Sequence, residues 1–269
     1  MTVSGTSPDR KSVLNPYKRS AANLVSRFLW DLRPDSWRSR RRIAALQGSQ
    51  RQAKAVILCN GPSLLQVDFE KLIAADVYTF GLNKINLLFP KTPFRPSSIV
   101  AVNELVLEQN AEFFNTTELP LFLDSSALKR GVNSRENCHF LHATNMRGEF
   151  ARDCSISIFQ GYTVTYVAMQ LAFHMGFTKV ALVGCDHYFN SSGQANATVK
   201  AGESDPDHFD PKYFSGGMKW QLPDIFQSEI AYRLALNHYE AAGRRLVNST
   251  EGGHLELMPR VSLDDFLRD

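Results

Sequence analysis

Hydrophobic residues along the chain form short, almost unbroken runs that alternate with segments of helical spacing. The runs are rich in β-branched residues and end in Asn or Asp, which is typical of buried strands. The predicted strands span 54–60, 77–83, 99–103, 120–124, 179–186 and 245–248, and the predicted helices span 64–75, 163–175 and 227–242. Strands that are apolar on both sides need cover on both faces. The pattern therefore predicts a Rossmann-like α/β fold, with a mostly parallel sheet and helices on both faces.

The first 53 residues have a different pattern. Residues 1–20 are polar and are expected to be poorly ordered, whereas 21–48 has helical spacing that is interrupted at Pro34. Residues 1–54 carry twelve Lys and Arg but only three Asp and Glu, a net charge of +9 in a chain whose net charge is +3. The sequence thus divides into a basic, partly helical extension (1–53) and a Rossmann-like domain (54–269).

The basic extension has two interpretations. It contains Trp30 and Trp37, followed by a cluster of arginines at 38–42. We favour a solvated helical extension that packs its few apolar residues on the main domain, because its apolar face is short. The alternative is peripheral contact with anionic lipid at the inner face of the membrane. No nucleic-acid-binding motif accompanies the charge, so we do not expect nucleic acid as a partner.

The composition bears on compartment and on metals. No apolar run is long enough to cross a bilayer, and the first residues lack the apolar core of a signal peptide. The four cysteines are scattered, with no Cys-x-x-Cys pair and no Cys/His cluster. This distribution is typical of a reduced cytoplasmic protein and disfavours a structural zinc site.

Polar side chains directly follow most of the predicted strands. In an open parallel sheet, ligands bind beyond the carboxyl ends of the strands. The polar residues at these ends are Asn60, Gly61, Ser63, Asn83, Asn103, Glu104, Asp186, His187, Tyr188, Asn248, Ser249 and Thr250. Any one of them alone would be an ordinary turn residue or helix cap. Together they predict a site for a nucleotide or another phosphate-bearing ligand.

The segment after the first strand could bind phosphate in the manner of a glycine-rich loop. Gly61 would let the backbone approach a ligand, and Pro62 would stiffen the turn. Ser63 would cap a helix whose first N–H groups attract phosphate. A plain β-turn with a capping serine explains the same residues. The segment is neither G-x-G-x-x-G nor a Walker A sequence, so it does not indicate NAD or P-loop chemistry.

A long irregular segment at 193–223 is rich in Gly, Pro, Asp and aromatic residues, which is typical of a functional lid. It contains two candidate proton carriers, His208 and Tyr213, and His187 after the fifth predicted strand is a further candidate. Three aspartates at 205, 207 and 210 flank His208 and would favour its protonated form. A structural role for His208 is the alternative.

Several of these pieces, taken in order, resemble the 6-hydroxymethylpterin diphosphokinase MptE-like superfamily. The similar segments are VILCNGPSLL at 56–65, FGLN at 80–83, GYTVTYVAMQLAFHMGF at 161–177, VALVGCDHYF at 180–189 and VNSTEGGHLELMP at 247–259. The resemblance extends from Ala55 to about Leu267. It implies a Rossmann-like fold, and many members of this set belong to bacterial surface-polysaccharide loci.

The chain is also similar to the bacterial sialyltransferases of glycosyltransferase family 42, which use a CMP-activated sugar without a catalytic metal. The similarity implies that the nucleotide is held by Asn60, Gly61, Pro62, Ser63, Asn83, Asn103, Thr163, Thr165, Gly184 and Asp186. It further implies that Tyr188 stabilises the leaving phosphate. His208 is the nearest match to the catalytic histidine of that family.

These observations support three functional hypotheses. The first is a glycosyltransferase of cell-surface polysaccharide synthesis, with a nucleotide-activated donor, preferably a CMP-sugar, and a glycan or small-molecule acceptor. In it His208, or else His187 or Tyr213, is the base. The second is a pterin-type diphosphokinase, which would need ATP and Mg²⁺ held by carboxylates such as Asp186 and Glu104. The third is a nucleotide-binding protein without catalysis.

Overall fold

The computed structural model describes residues 16–144 and 148–269, and its centre is a seven-stranded sheet in which every neighbouring pair is parallel. Its strands are β1 (Lys54–Leu58), β2 (Tyr78–Leu82), β3 (Ser98–Ala101), β4 (Leu121–Asp124), β5 (Cys138–Leu141), β8 (Lys179–Val183) and β11 (Arg245–Asn248). A short parallel pair, β6 (Ala143–Thr144) with β7 (Ile158–Phe159), lies beside it. The predicted Rossmann-like α/β fold is confirmed.

Two hydrophobic cores cover the two faces of the sheet. In β1, Ala55 and Ile57 belong to one core, while Val56 and Leu58 belong to the other. The helices are α1 (Pro16–Asp31), α2 (Pro34–Ala45), α3 (Phe69–Ala74), α4 (Glu104–Gln109), α5 (Ala111–Thr116), α6 (Val164–Met175), α7 (Ile225–Ala241) and α8 (Leu263–Arg268). Helices α6 and α7 contribute to the first core, and α3, α4, α5 and α8 contribute to the second. Burial on both sides explains why the strand sequences are apolar without alternation.

The strand order places a topological switch point beside β1. The order across the sheet is β11-β8-β1-β2-β3-β4-β5, so the chain runs outward from β1 to β5 and then returns to the other side of β1. A crevice opens where successive connections diverge from such a strand pair, and it is the usual ligand site of open α/β sheets. A ligand site is therefore expected at the carboxyl ends of β1 and β8.

Two predicted elements differ in the structure. The helix expected at 64–75 is a 3₁₀ turn at Pro62–Gln66 followed by α3, and Asp68 rather than Ser63 caps α3. The sequence patterns also missed β5, because the short run CHFL contains a histidine. Helix α6 agrees with its prediction, since Thr163 caps it and Gly176 ends it in the left-handed conformation.

The basic extension contains two helices separated near Pro34, as the sequence predicts. Helix α2 packs against the sheet: its Ile43 is buried in a core, and the Ser39 hydroxyl accepts a hydrogen bond from the Phe140 N–H of β5 at 3.0 Å. The disorder expected at 1–20 concerns mostly residues outside the described part, although 16–20 belong to α1. Among the described residues, no helix is long and apolar enough to cross a membrane.

The segment predicted to be a lid packs against the rest of the domain. It contains an antiparallel hairpin, β9 (Thr198–Lys200) with β10 (Lys219–Gln221). Its residues Phe209, Tyr213 and Phe214 are buried in the same core as one face of β1. This burial places 205–214 at the wall of the core, whereas the mobility expected of the whole segment 193–223 stays a prediction. We call residues 205–214 the aromatic wall.

Candidate functional site

A cavity of about 670 Å³ opens at the carboxyl ends of β1 and β8, at the switch point. Its size suits a nucleotide or a similar ligand. The structure brings most of the residues predicted for the site into its lining, namely Asn60, Gly61, Asn83, Asn103, Thr163, Thr165, Gly184, Asp186, His187, Tyr188 and His208. Three predicted residues, Pro62, Ser63 and Tyr213, do not line it.

The floor of the cavity contains two buried thiols. Cys59 follows β1 and Cys185 follows β8, and both line the cavity. A hydrogen bond with Cys185, together with burial, raises the pKa of the Cys59 thiol well above its ordinary value. The Thr165 hydroxyl lies 3.6 Å from the Cys59 sulfur. Because a thiol nucleophile acts as its thiolate, Cys59 is not activated for attack at neutral pH.

The segment at 61–63 bonds to Asp186, and the phosphate contact expected of Pro62 and Ser63 stays a prediction. The Ser63 hydroxyl and backbone N–H donate to one Asp186 oxygen, at 2.8 and 3.2 Å. A Cβ on Gly61 would overlap that carboxylate and lie 2.9 Å from the Gly184 carbonyl oxygen. Glycine is therefore required for contact between two loops of the protein. The turn that follows is one turn of 3₁₀ helix, too short for an appreciable dipole.

His208 is held at the cavity by a buried carboxylate. Its Nδ1 lies 2.8 Å from Asp205 Oδ2, and the two side chains are 13% and 5% exposed. Asp205 also accepts the N–H groups of Asp207 and Phe214, at 2.8 and 3.0 Å. An Nδ1–H donated to Asp205 leaves Nε2 as the ring nitrogen that can take a proton from a ligand. This arrangement is that of an oriented general base.

Tyr213 supports His208 from behind and is not itself exposed to the cavity, contrary to its prediction as a base. Its ring stacks on the imidazole with centroids 4.1 Å apart and planes 4° from parallel. Complete burial raises the pKa of its hydroxyl, which makes Tyr213 a poor proton acceptor. The ring therefore fixes the orientation of His208.

A buried lysine anchors the aromatic wall to the sheet. Lys84, after β2, donates from Nζ to the Tyr213 carbonyl and to Gln109 Oε1, both at 2.7 Å, and lies 4.6 Å from the centre of the Phe214 ring. Burial lowers the pKa of Lys84 to about 8, while the charge of Asp205 opposes the shift. No sequence pattern indicated this residue.

The aspartates beside His208 in sequence do not all face it. Burial works against ionisation of Asp207, but hydrogen bonds from Ser191 and Asn190 hold its pKa below the ordinary value. The Asp210 carboxylate lies 2.8 Å from Lys91 Nζ. Asp205 bonds to the His208 ring, whereas Asp207 and Asp210 bond to other residues of the protein.

A second histidine, His187, lies on another part of the lining. Its backbone is in the left-handed region, with φ of 54°, and its Nε2 lies 3.0 Å from Glu229 Oε1 of α7. Tyr188 beside it is 54% exposed and contacts the ring of His254. Sequence reasoning missed Glu229, because a carboxylate on a helix carries no local signal of a partner 42 residues away.

Amide side chains complete the lining and differ in what they contact. The Asn103 oxygen caps α4, and its Nδ2 donates to Gln221 of β10 at 2.7 Å. The Asn60 oxygen is buried without a hydrogen-bond partner among the described residues. An unsatisfied buried acceptor costs about 1–3 kcal/mol. A ligand whose donor reaches the Asn60 oxygen would remove this cost, and its binding would be favoured accordingly.

A second cavity of about 680 Å³ adjoins the first and shares Asn103, Gln160 and Gln221 with it. Its lining is polar and includes Asp124 at the end of β4 and Lys129. Burial raises the pKa of Asp124, although hydrogen bonds from Ser126 oppose the shift. No sequence pattern indicated this cavity, because its lining residues come from segments that are distant in the chain.

The two carboxylates expected to hold Mg²⁺ in a diphosphokinase each bond to another residue of the protein. One oxygen of Asp186 accepts from Ser63, and Glu104 pairs with Arg130 and is exposed. Within the described residues, no three His, Cys, Asp or Glu side chains come together as metal ligands would. Mg²⁺ bound with ATP needs only one or two carboxylates from the protein, so the role of Asp186 and Glu104 stays a prediction.

Comparisons with known proteins place the fold in context. The family model described as 6-hydroxymethylpterin diphosphokinase MptE-like matches residues 35–192. The structure of the MAf glycosyltransferase from Magnetospirillum magneticum AMB-1 is similar, with 16% identity and a TM-score of 0.51. That similarity covers 84% of this chain and 38% of the other, so the chain spans well under half of that protein's length. No curated protein sequence matches the chain.

The family match has a boundary that is informative about the site. Residues 35–192 include α2 and both sides of the switch point, with Asn60 and Asp186. The match ends before the aromatic wall, so His208 and Asp205 lie beyond it. The family match thus begins and ends earlier in the chain than the resemblance expected from Ala55 to Leu267.

Proposed function

The chain belongs to the 6-hydroxymethylpterin diphosphokinase MptE-like family, and from that premise we propose that it is a glycosyltransferase with a nucleotide-activated sugar donor. The observation that carries the proposal is the pair His208–Asp205 on the wall of a nucleotide-sized cavity at the switch point. The fold shared with the MAf glycosyltransferase supports it. We favour a CMP-sugar donor and an acceptor glycan of the cell surface, with the reaction in the cytoplasm.

The proposed reaction is a direct displacement at the anomeric carbon. The acceptor hydroxyl transfers its proton to His208 Nε2 while its oxygen bonds to that carbon, and the bond from the carbon to the donor phosphate breaks. Asp205 stabilises the imidazolium that forms. Tyr188 donates a hydrogen bond to the departing phosphate, whose developing charge it stabilises. The second cavity, which adjoins the first, would receive the acceptor.

The donor site is expected to use Asn60. A cytosine amino group or a ribose hydroxyl placed against its oxygen would satisfy the acceptor that the protein leaves without a partner. The remaining lining from Asn83, Asn103 and Thr163 offers further hydrogen bonds to base, ribose or phosphate. Gly184 and Asp186 would hold the loop against which the phosphate lies.

A thermal-shift panel with CMP, CDP, UDP, GDP and ATP, each with and without Mg²⁺, tests the donor class. CMP is expected to raise the melting temperature without metal, and Asn60→Ala should abolish that shift while the exposed, remote Asn133→Ala retains it. A shift with ATP that requires Mg²⁺ would instead support the diphosphokinase hypothesis. Nucleotide binding without turnover of any activated sugar would support the non-catalytic one.

A further inference from the structure

Helix α1 is amphipathic in the reverse sense, because its apolar side faces solvent. Leu24 is 72% exposed and Phe28 is 63% exposed, and Val25, Leu29 and Leu32 are exposed with them. The spacing of Leu24 and Phe28 places them along one stripe of the helix, and Leu32 follows directly after its end. The extension does pack Trp30 and Ile43 on the domain, but this stripe of α1 does not take part in that packing.

The side of α1 that contacts the domain is mostly polar. The Arg27 guanidinium donates to the Ile156 carbonyl and, at 3.2 Å, to the Ser157 hydroxyl. The Ser26 hydroxyl lies 3.5 Å from His142 Nε2, and Trp30 is the buried aromatic residue of the helix. Polar contacts thus hold α1 in place with its apolar stripe outward.

The two helices of the extension also carry exposed cationic side chains. Lys18, Arg38 and Arg41 are exposed on α1 and α2, within a region whose net charge is +9. Trp37, 65% exposed, donates from its indole nitrogen to the Asp31 carbonyl at 2.7 Å, which holds its ring at the end of α1. A contiguous exposed apolar surface of this kind marks an interaction site.

We propose that α1 and the adjoining end of α2 dock on the surface of an anionic lipid membrane, with the apolar stripe inserted at the level of the headgroups. Leu and Phe on one stripe, with Trp and cationic side chains beside it, are the groups that such surfaces bind. A second copy of this chain would bring an equal positive charge to the same face, so charge favours lipid over self-association.

The docked orientation brings both cavities to the membrane. Lys18, Ala22 and Asn23 of α1 line the larger cavity, and Ser26 and Arg33 line the adjoining one. The openings therefore lie alongside the helix that contacts the lipid. Because lipid binding requires no catalysis, the docking proposal stands or falls separately from the proposed transferase.

Co-sedimentation with lipid vesicles tests the docking of the full chain. The wild type should pellet with phosphatidylcholine vesicles that contain anionic phosphatidylglycerol and not with phosphatidylcholine alone, and added salt should weaken binding. The double variant Leu24→Gln/Phe28→Gln should bind at least about tenfold more weakly, because two apolar groups no longer insert. Both side chains are exposed, so the variant should fold normally.

The matched control is Leu65→Gln/Ile73→Gln, which removes two residues, each 51% exposed, outside α1. It should bind like the wild type. Equal binding by the α1 variant, or no binding of the wild type to anionic vesicles, would overturn the proposal. A dimer in sedimentation velocity that the α1 variant abolishes, in the absence of lipid binding, would assign the stripe to a second copy.

Discussion

Two histidine–carboxylate pairs lie on the lining of the larger cavity, and their surroundings differ. The pair His208–Asp205 belongs to the aromatic wall, where the carboxylate is 5% exposed and accepts three separate donors. The pair His187–Glu229 joins the loop after β8 to α7. Its carboxylate is 42% exposed and bonds to His187 Nε2. The bond lengths are similar, so distance alone does not separate the two.

Burial and shared contacts separate them. Asp205 is fixed by two backbone N–H groups, and His208 is additionally held by the parallel ring of Tyr213. The His187 side chain is itself only 8% exposed, but water screens its partner Glu229, so this carboxylate contributes less to positioning than Asp205 does. A general base needs a defined orientation toward its substrate, so the comparison favours the proposal of His208 rather than His187 as the base.

The largest effect should follow from loss of His208. Once a donor is identified, His208→Ala should lower kcat by roughly two to four orders of magnitude with little change in donor Kd, as expected for a lost general base. His208→Gln preserves a donor for Asp205 and should lose activity equally while retaining the wild-type melting temperature. Activity of either folded variant within a few-fold of the wild type would remove His208 from the mechanism.

A smaller loss should follow from Asp205→Asn, which acts through His208. The amide keeps the size of the side chain but removes the charge that stabilises the imidazolium, so kcat should fall by about ten- to a hundredfold. Donor Kd and the pH profile of kcat separate this positioning role from a structural one, since the pH profile should change while donor Kd and the melting temperature stay constant. An unchanged pH profile with reduced stability would mean that Asp205 serves only the fold.

The aromatic wall should also make stability depend on pH through Lys84. Burial lowers its pKa to about 8, below the ordinary value of 10.5, so between these values the unfolded chain holds more protons at this site. Stability contributed by this group therefore rises as pH increases from about 8 to 10, by up to about 1.4 kcal/mol per pH unit. Urea unfolding should show this rise in the wild type relative to Lys84→Met. Parallel curves for the two proteins would contradict it.

The smallest effects are expected at the second pair. His187→Ala and Glu229→Gln should each leave kcat within about threefold of the wild type, because the pair is partly exposed and its contribution is screened. Donor Kd, measured for both variants, reports any contact of His187 with the nucleotide. A hundredfold loss of kcat in His187→Ala would reverse the assignment of the two histidines.

The sequence predicted the fold well because its signals were local. Apolar runs that end in Asn or Asp mark β1, β2 and β8, and those ends meet at one edge of a parallel sheet whatever the details of the loops. Most of the residues predicted for the site therefore line the cavity, although they make up only about a third of its lining. The exception in the sheet was β5, which is as short as four residues and contains His139.

The site was predicted less well where a contact joins distant residues. Ser63 resembles a helix cap, yet its hydroxyl is bound by Asp186, 123 residues away. The irregular segment suggested mobility, but its aromatic residues complete a core that no local pattern can show. His208 could be named as a candidate base because it lies in the irregular segment and is the nearest match to the sialyltransferase histidine, whereas its bond to Asp205 appears only in the structure.

The place of the aromatic wall in the core restricts the traffic of substrates. Phe209, Tyr213 and Phe214 share a core with one face of the central strand, so this side of the cavity cannot open without partial unfolding. On the other side, the lining residues Tyr188 and Ile225 are 54% and 38% exposed. We therefore expect ligands to enter on the side of Tyr188 and Ile225, where the lining is exposed, rather than past the buried aromatic wall.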